Sequence, residues 1–180
     1  MNQLERDGIL AVLVDKLQSQ GSWCGETHVQ KGAYFLQELF DVPLGFDFVM
    51  YKHGPFSFDL HDDLTSMLAD DLLRQVPRPA PYGPSLVTST DGEELATLLG
   101  ADVDAYRDAI TAVAGIVGPR GVTSLEEMST ALWVLRESPS ATDDELAERM
   151  NSIKPHISVS QAKLVVNSVR ELVHQASASH

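Results

Sequence analysis

Histidines, cysteines and clustered carboxylates are where hydrolytic, redox or metal chemistry would begin, and here they are dispersed. His28, His53 and His61 fall on three different predicted elements, and the single cysteine, Cys24, has no cysteine partner. A zinc site needs three or four such ligands gathered together, so no metal is expected. His61-Asp62-Asp63 reads as an exposed helix face. A Cys24 nucleophile activated by His28 or His53 is chemically conceivable, but Trp23-Cys24-Gly25 matches no protease signature. A buried, idle thiol is the simpler reading. Gly115-Ile-Val-Gly118-Pro-Arg-Gly121 has no strand before it and no phosphate-binding lysine, so it reads as a helix stop. Carboxylate pairs occur at Asp62-Asp63, Asp70-Asp71, Glu93-Glu94, Glu126-Glu127 and Asp143-Asp144. Several lie near predicted helix starts, where they favourably oppose the macrodipole. These residues point to a non-enzymatic protein without catalytic residues or cofactor.

The elements that would carry these side chains are mostly helical. Helical spacing of apolar residues predicts helices over 4–19, 26–40 and 57–71 in the first half, the last capped by Ser57. Between them, the alternation of Phe46, Phe48 and Met50 predicts a short strand over 46–51, closed by a His53-Gly54-Pro55 turn. A β-hairpin over 72–90 follows, with a proline-rich tip from Pro77 to Pro84 and an end at Asp91-Gly92. The second half predicts helices over 102–117, 124–137, 143–152 and 159–175. Ser124 with Glu127, Thr142 with Glu145, and Ser158 with Gln161 have capping-box spacing. The expected fold is therefore mainly α: a winged-helix-like N-terminal half of three helices plus a hairpin, then an all-helical C-terminal half. The expected division is 1–92 and 93–180, the second part packed on the first.

Composition narrows the setting. Hydrophobic residues make up 43% and charged residues 22%, which suits a folded core. The longest apolar runs, such as Ile9 to Val14, fall far short of a membrane span. The opening Met-Asn-Gln-Leu-Glu-Arg-Asp lacks the pattern of a signal peptide, and one cysteine makes no internal disulfide. A cytoplasmic location without membrane contact is expected. The net charge is −13, with residues 1–92 holding six Lys/Arg against thirteen Asp/Glu and residues 93–180 seven against thirteen. An even acidity of this size repels nucleic acid and anionic membranes at long range.

One segment stands out. Thr27-His-Val-Gln-Lys31-Gly-Ala-Tyr34-Phe35-Leu36 is followed by Phe46-Asp-Phe-Val-Met-Tyr51-Lys52-His53-Gly54-Pro55-Phe56-Ser57. This resembles the YwgA-like and Panacea-type (SocA-like antitoxin) small bacterial and phage proteins, in which a Lys-Leu-x-Tyr-like helix leads to a Tyr-Gly-Pro turn that opens the next helix. A C-terminal Leu-x-x-Arg-Glu, Asp-Glu-Leu and Lys-Pro-x-Ile-Ser pattern is similar to the helical tail of YwgA-like members. His53 stands where those proteins carry an aromatic residue before Gly-Pro, and Gly32 where a bulkier apolar residue is common. The resemblance implies an antitoxin, a regulator or a defence-associated accessory protein, and implies no reaction.

The same residues have a physical reading. Gly54 permits a backbone bend, and Pro55 fixes φ after it. Lys31, Tyr34 and Phe35 lie about one helical turn apart and can pack over that bend. Tyr34, Phe35, Tyr51 and Phe56 are then either the core under a tight turn or part of a partner-docking surface. That surface would comprise Lys31, Tyr34, Phe35, Lys52, His53, Gly54, Pro55 and Phe56. The alternative is a DNA-binding regulator using Arg74 and Arg78 on the wing. It meets an obstacle: the third helix carries Asp59, Asp62, Asp63, Asp70 and Asp71, with no Lys or Arg from Ser57 to Leu73. A protein partner, a toxin or defence component, is therefore expected ahead of DNA. The apolar excess on the last helix (Val159, Ala162, Leu164, Val165, Val166, Val169, Leu172, Val173) fits deep burial or a homodimer contact.

Overall fold

The computed structural model describes residues 1–178. Its elements, in chain order, are α1 (Gln3–Ser19), α2 (Glu26–Phe40), β1 (Val49–Tyr51), β2 (Gly54–Phe56), α3 (Phe58–Ala69), β3 (Leu73–Val76), β4 (Ser85–Thr88), α4 (Thr90–Leu99), α5 (Ala101–Asp104), α6 (Arg107–Val117), α7 (Val122–Glu137), α8 (Asp143–Ile153) and α9 (Val159–Ala178). The fold is mainly α, with N-terminal helices and a hairpin followed by a helical C-terminal half. No helix among the described residues is long and apolar enough to cross a membrane.

The chain forms two units: Met1–Val49 with Phe56–Arg120, and Met50–Pro55 with the chain from Gly121 onward. This corrects the expected division at 92/93. The helices α4 to α6 belong with the first unit because α1 packs on all three.

In the first unit α1 is the central post. Ile9, Leu10, Ala11, Leu13, Val14 and Leu17 are fully buried. A helix that is apolar nearly all round belongs inside a core. Its start is set by a capping box, Asn2 with Glu5. Two glutamines of α2 order the chain beside it. Gln30 Nε2 donates to the Ser57 carbonyl and Gln30 Oε1 accepts from the Ser57 amide, both at 2.9 Å. Gln37 does the same with both backbone groups of Phe46, at 3.0 Å. This is why the expected strand over 46–51 shrinks to β1. Phe46 has its backbone groups taken by a side chain, so it is not available for a ladder. Phe46 and Phe48 alternate because their rings pack together and against Tyr34 and Arg6.

The β3–β4 hairpin pairs antiparallel, Leu73 with Thr88 through Val76 with Ser85. The sequence reading ended it at Asp91-Gly92, yet these residues form the first turn of α4. Ser89 is the N-cap: its hydroxyl accepts from the Gly92 amide at 3.1 Å and donates to the Asp71 carbonyl. Gly92 is demanded by proximity, since a Cβ there would lie 2.3 Å from the Leu72 carbonyl oxygen. The expected helix over 102–117 is broken at Ala105–Tyr106 into α5 and α6.

In the second unit α9 packs on α7 and α8 through Ala162, Val166 and Val169. Thr142 and Glu145 form the expected capping box on α8, and Ser158 accepts from the Gln161 amide. Ser124 is not a cap, because α7 starts two residues earlier behind Gly121. The expectation of deep burial for α9 fails at Leu164, which is 67% exposed.

Candidate functional site

The residues singled out in the sequence separate by burial. Lys31, Tyr34 and Phe35 lie inside, each at most 2% exposed. Gly54 and Pro55 are buried in β2, and Phe56 is half-buried against Phe58. The expected docking surface is therefore corrected. Its helical part is core, because α2 turns that face inward, and only Lys52 and His53 remain exposed.

What presents Lys52 and His53 is a buried ion pair that the sequence reading did not assemble. They form the two-residue turn joining β1 to β2. Lys154, in the α8–α9 connection, is buried and donates through Nζ to the carbonyls of Tyr51 at 2.9 Å and Lys52 at 2.5 Å. The same ammonium lies 3.0 Å from Glu126 Oε1 on α7, with both side chains only 8% exposed. The contact is an ion pair, and Oε1 accepts no hydrogen bond. A buried lysine needs such a partner, because an uncompensated charge in the interior is costly.

Two imidazoles complete the cluster. His53 Nδ1 lies 3.6 Å from Glu126 Oε2, and His156 Nε2 lies 3.5 Å from Oε1. Both rings are about half exposed, at 51% and 58%. The turn is pinned from below as well. Gly54 has φ +84, and a Cβ there would lie 2.8 Å from Ser129 Oγ on α7. The result is a buried Glu126–Lys154 floor under an exposed rim of Lys52, His53 and His156.

The other candidates have structural occupations. Cys24 is fully buried, and burial pushes its thiol up to about 12, so no thiolate is available at neutral pH. His28 is buried, its Nε2–H donates to the Arg120 carbonyl at 3.0 Å, and burial lowers its pKa, keeping it neutral. His61 pairs with Glu26 at 2.7 Å, and that hydrogen bond raises its pKa. Arg78 donates from Nε to Ser85 Oγ at 2.7 Å and stacks 5.7 Å from the Trp23 ring centre. Arg74 is exposed on β3. On α3 Asp63 pairs with Arg6 at 2.7 Å, while Asp59 and Asp62 on the helix and Asp70 and Asp71 just past its end are exposed. Among the described residues no three His, Cys, Asp or Glu side chains are gathered to hold a metal.

Glu126 is the site residue that sequence reasoning missed, while Lys154 and His156 stand out in the sequence only as cations of the least acidic, C-terminal part. The place of Glu126 beside Glu127 suggests a helix-start pair, but α7 begins at Val122, so Glu126 lies beyond the first turn on a buried face. That position was the available signal, since a charge there needs a partner elsewhere.

The fold and the cluster define a class: a mainly helical protein that displays a locked turn between an ammonium clamp and two imidazoles. Compared with known proteins, the chain matches no family model and no curated sequence.

Proposed function

We propose that this is a non-enzymatic regulatory protein that acts by binding another protein through the rim of Lys52, His53 and His156. The observation that carries the reading is the Lys154 clamp. Two hydrogen bonds from a buried ammonium hold the turn carbonyls while the Lys52 and His53 side chains stay exposed. A turn held in one shape loses little entropy on association, which is what an anchoring surface needs. The setting suggested by the YwgA-like and Panacea-type resemblance is a toxin–antitoxin or phage-defence module, with a toxin or defence component as the bound protein and a cytoplasmic location.

The test is co-purification from the source cells. Tagged full-length protein should retain a specific protein, and Lys52→Ala with His53→Ala should release it without lowering the unfolding temperature. Retention by the variant would end the rim reading. Lys31→Ala with Tyr34→Ala is unsuitable for this test, because both side chains are buried and their loss would weaken the fold.

A winged-helix DNA-binding regulator is the second reading. It is favoured by the order of three helices followed by the β3–β4 hairpin and by the exposed Arg74. Against it stand the exposed carboxylates of α3 and the −13 charge, which work against the counterion release that drives duplex binding.

A further inference from the structure

A cavity of about 170 Å³ opens in the first unit, lined by α1, β4, α4 and the first residue of α6. Small, buried residues make room for it: Ala11 on α1, with Gly92 and Ala96 on α4. Pockets for drug-sized ligands hold ~300–1,000 Å³, so an occupant here is limited to a small metabolite. Groups of both signs line the cavity: Arg107 on α6, Asp15 on α1 and Glu93 on α4. Among the described residues neither carboxylate forms an ion pair with the guanidinium. Arg107 is held by Asp104 instead, whose Oδ1 lies 2.8 Å from Nε and 2.6 Å from Nη2. That contact occupies one edge of the guanidinium fork, and the edge formed by Nη1 and the second Nη2 hydrogen is left for a bidentate carboxylate. Asp15 has only the adjacent Lys16, at 3.9 Å, and Glu93 forms no ion pair among the described residues. Thr88 and Thr97 line the same cavity, and each donates its hydroxyl proton to a backbone carbonyl at 2.8 Å, of Ala11 and Glu93 respectively. What these hydroxyls offer a ligand is therefore acceptor lone pairs.

We infer that this cavity binds a free α-amino acid with a small aliphatic side chain. Its carboxylate sits on the open edge of Arg107, its ammonium among Glu93, Asp15 and the two threonine oxygens, and its side chain against Ala11 and Ala96. Opposite charges that line one cavity without pairing suit a ligand that carries both signs. A plain anion would meet two carboxylates, and a plain amine would leave the guanidinium edge without an acceptor. The small volume and the alanine and glycine lining set the size of the side chain. The site stands apart from the docking reading, whose rim belongs to the second unit, so either can fail without the other.

The experiment is titration calorimetry of the full-length protein with L-alanine, L-valine and L-leucine. Each is compared with the amine that lacks its carboxylate and the acid that lacks its ammonium; for valine these are isobutylamine and isovalerate. The best of the three amino acids should bind with a Kd below about 1 mM, a range open to so small a ligand. Its amine and its acid should each bind about tenfold more weakly or worse. Arg107→Gln, and separately Asp15→Asn with Glu93→Gln, should each weaken that amino acid about tenfold. All three positions are exposed, so circular dichroism should show the variants folded. Lys52→Ala with His53→Ala should leave the affinity unchanged. Absence of saturable binding by all three amino acids would overturn the inference. So would an amine or an acid that binds as tightly as its amino acid, since one charge would then suffice, or either cavity variant binding like the wild type.

Discussion

The two hairpins of this chain are held by different groups. The β3–β4 hairpin pairs its strands over four residues each, is tied to α1 by neutral hydrogen bonds from Gln18 to the Leu86 carbonyl and from Thr88 to the Ala11 carbonyl, and has Arg78 bonded to Ser85 across the tip while lying over Trp23. The β1–β2 hairpin has three-residue strands and a two-residue turn, too little to stand alone. It is held by the buried ammonium of Lys154, which lies 103 positions from Tyr51 in sequence. In the β3–β4 hairpin a cation, Arg78, is used on the hairpin's own surface. In the β1–β2 hairpin the cation is hidden, and the exposed side chains are left for another use. A hairpin that needs an internal ion to fix its turn is the better candidate for a surface whose shape matters.

The largest effect that would break this contrast is at Lys154. Lys154→Met strands Glu126 in the interior and removes the donor from two turn carbonyls, so it should cost about 3–5 kcal/mol in urea unfolding. Adding Glu126→Gln should restore part of that loss. A single variant within 1 kcal/mol of wild type (about the worth of an ordinary hydrogen bond) would show that the clamp is incidental.

Next comes Gly54. With φ at +84 and Ser129 Oγ so near the place a Cβ would take, Gly54→Val should lower stability by about 1–3 kcal/mol. An unchanged thermal melt would mean that the turn can relax around a side chain.

A paired buried charge can be set against a poorly paired one. Asp7 on α1 is 5% exposed, and its Oδ1 accepts no hydrogen bond. Burial first, then Asp63 and Asp70 against the opposing pull of Arg6, raise its carboxyl from 3.8 to about 6. A raised carboxyl favours the folded state where it is protonated, below about 4, and that stability is lost as pH rises through about 6. Asp7→Asn should flatten the dependence of unfolding free energy on pH between those values and be the more stable form at pH 7. A slope identical to wild type would show that Asp7 is not the titrating group.

The smallest expected effect is at the other hairpin. Arg78→Ala removes one hydrogen bond and one cation–π contact, both partly exposed, and should cost about 1 kcal/mol. A loss as large as that of Lys154→Met would erase the distinction between the two hairpins.

Much of this fold was legible in the sequence, and the site was not. Helix starts at Ser57, Thr142 and Ser158 follow from local capping chemistry, which a few neighbouring residues determine. The strand over 46–51 shortens because Gln37, nine residues before Phe46 on the preceding helix, takes the Phe46 backbone groups that a strand would otherwise pair. The helix α4 was hidden by Asp91-Gly92, a dipeptide that reads as a turn, although Gly92 is there because the Leu72 carbonyl leaves no room for a Cβ. The site joins the β1–β2 turn to α7 and to the α8–α9 connection, and no periodicity connects residues that far apart. Lys31, Tyr34 and Phe35, expected on a docking surface, are buried, because an amphipathic helix does not announce which part of a wide apolar face is covered.

The most direct test sets the two hairpins against each other in one assay. Tagged wild type, Lys52→Ala with His53→Ala, and Arg74→Ala with Arg78→Ala would be compared for the protein each retains and for binding to a duplex from the gene's own promoter. The account predicts that only the Lys52/His53 variant loses the retained protein and that none of the three shifts the duplex at physiological salt. Salt-sensitive duplex binding abolished by the Arg74/Arg78 pair, with protein retention unaffected by Lys52 and His53, would contradict it.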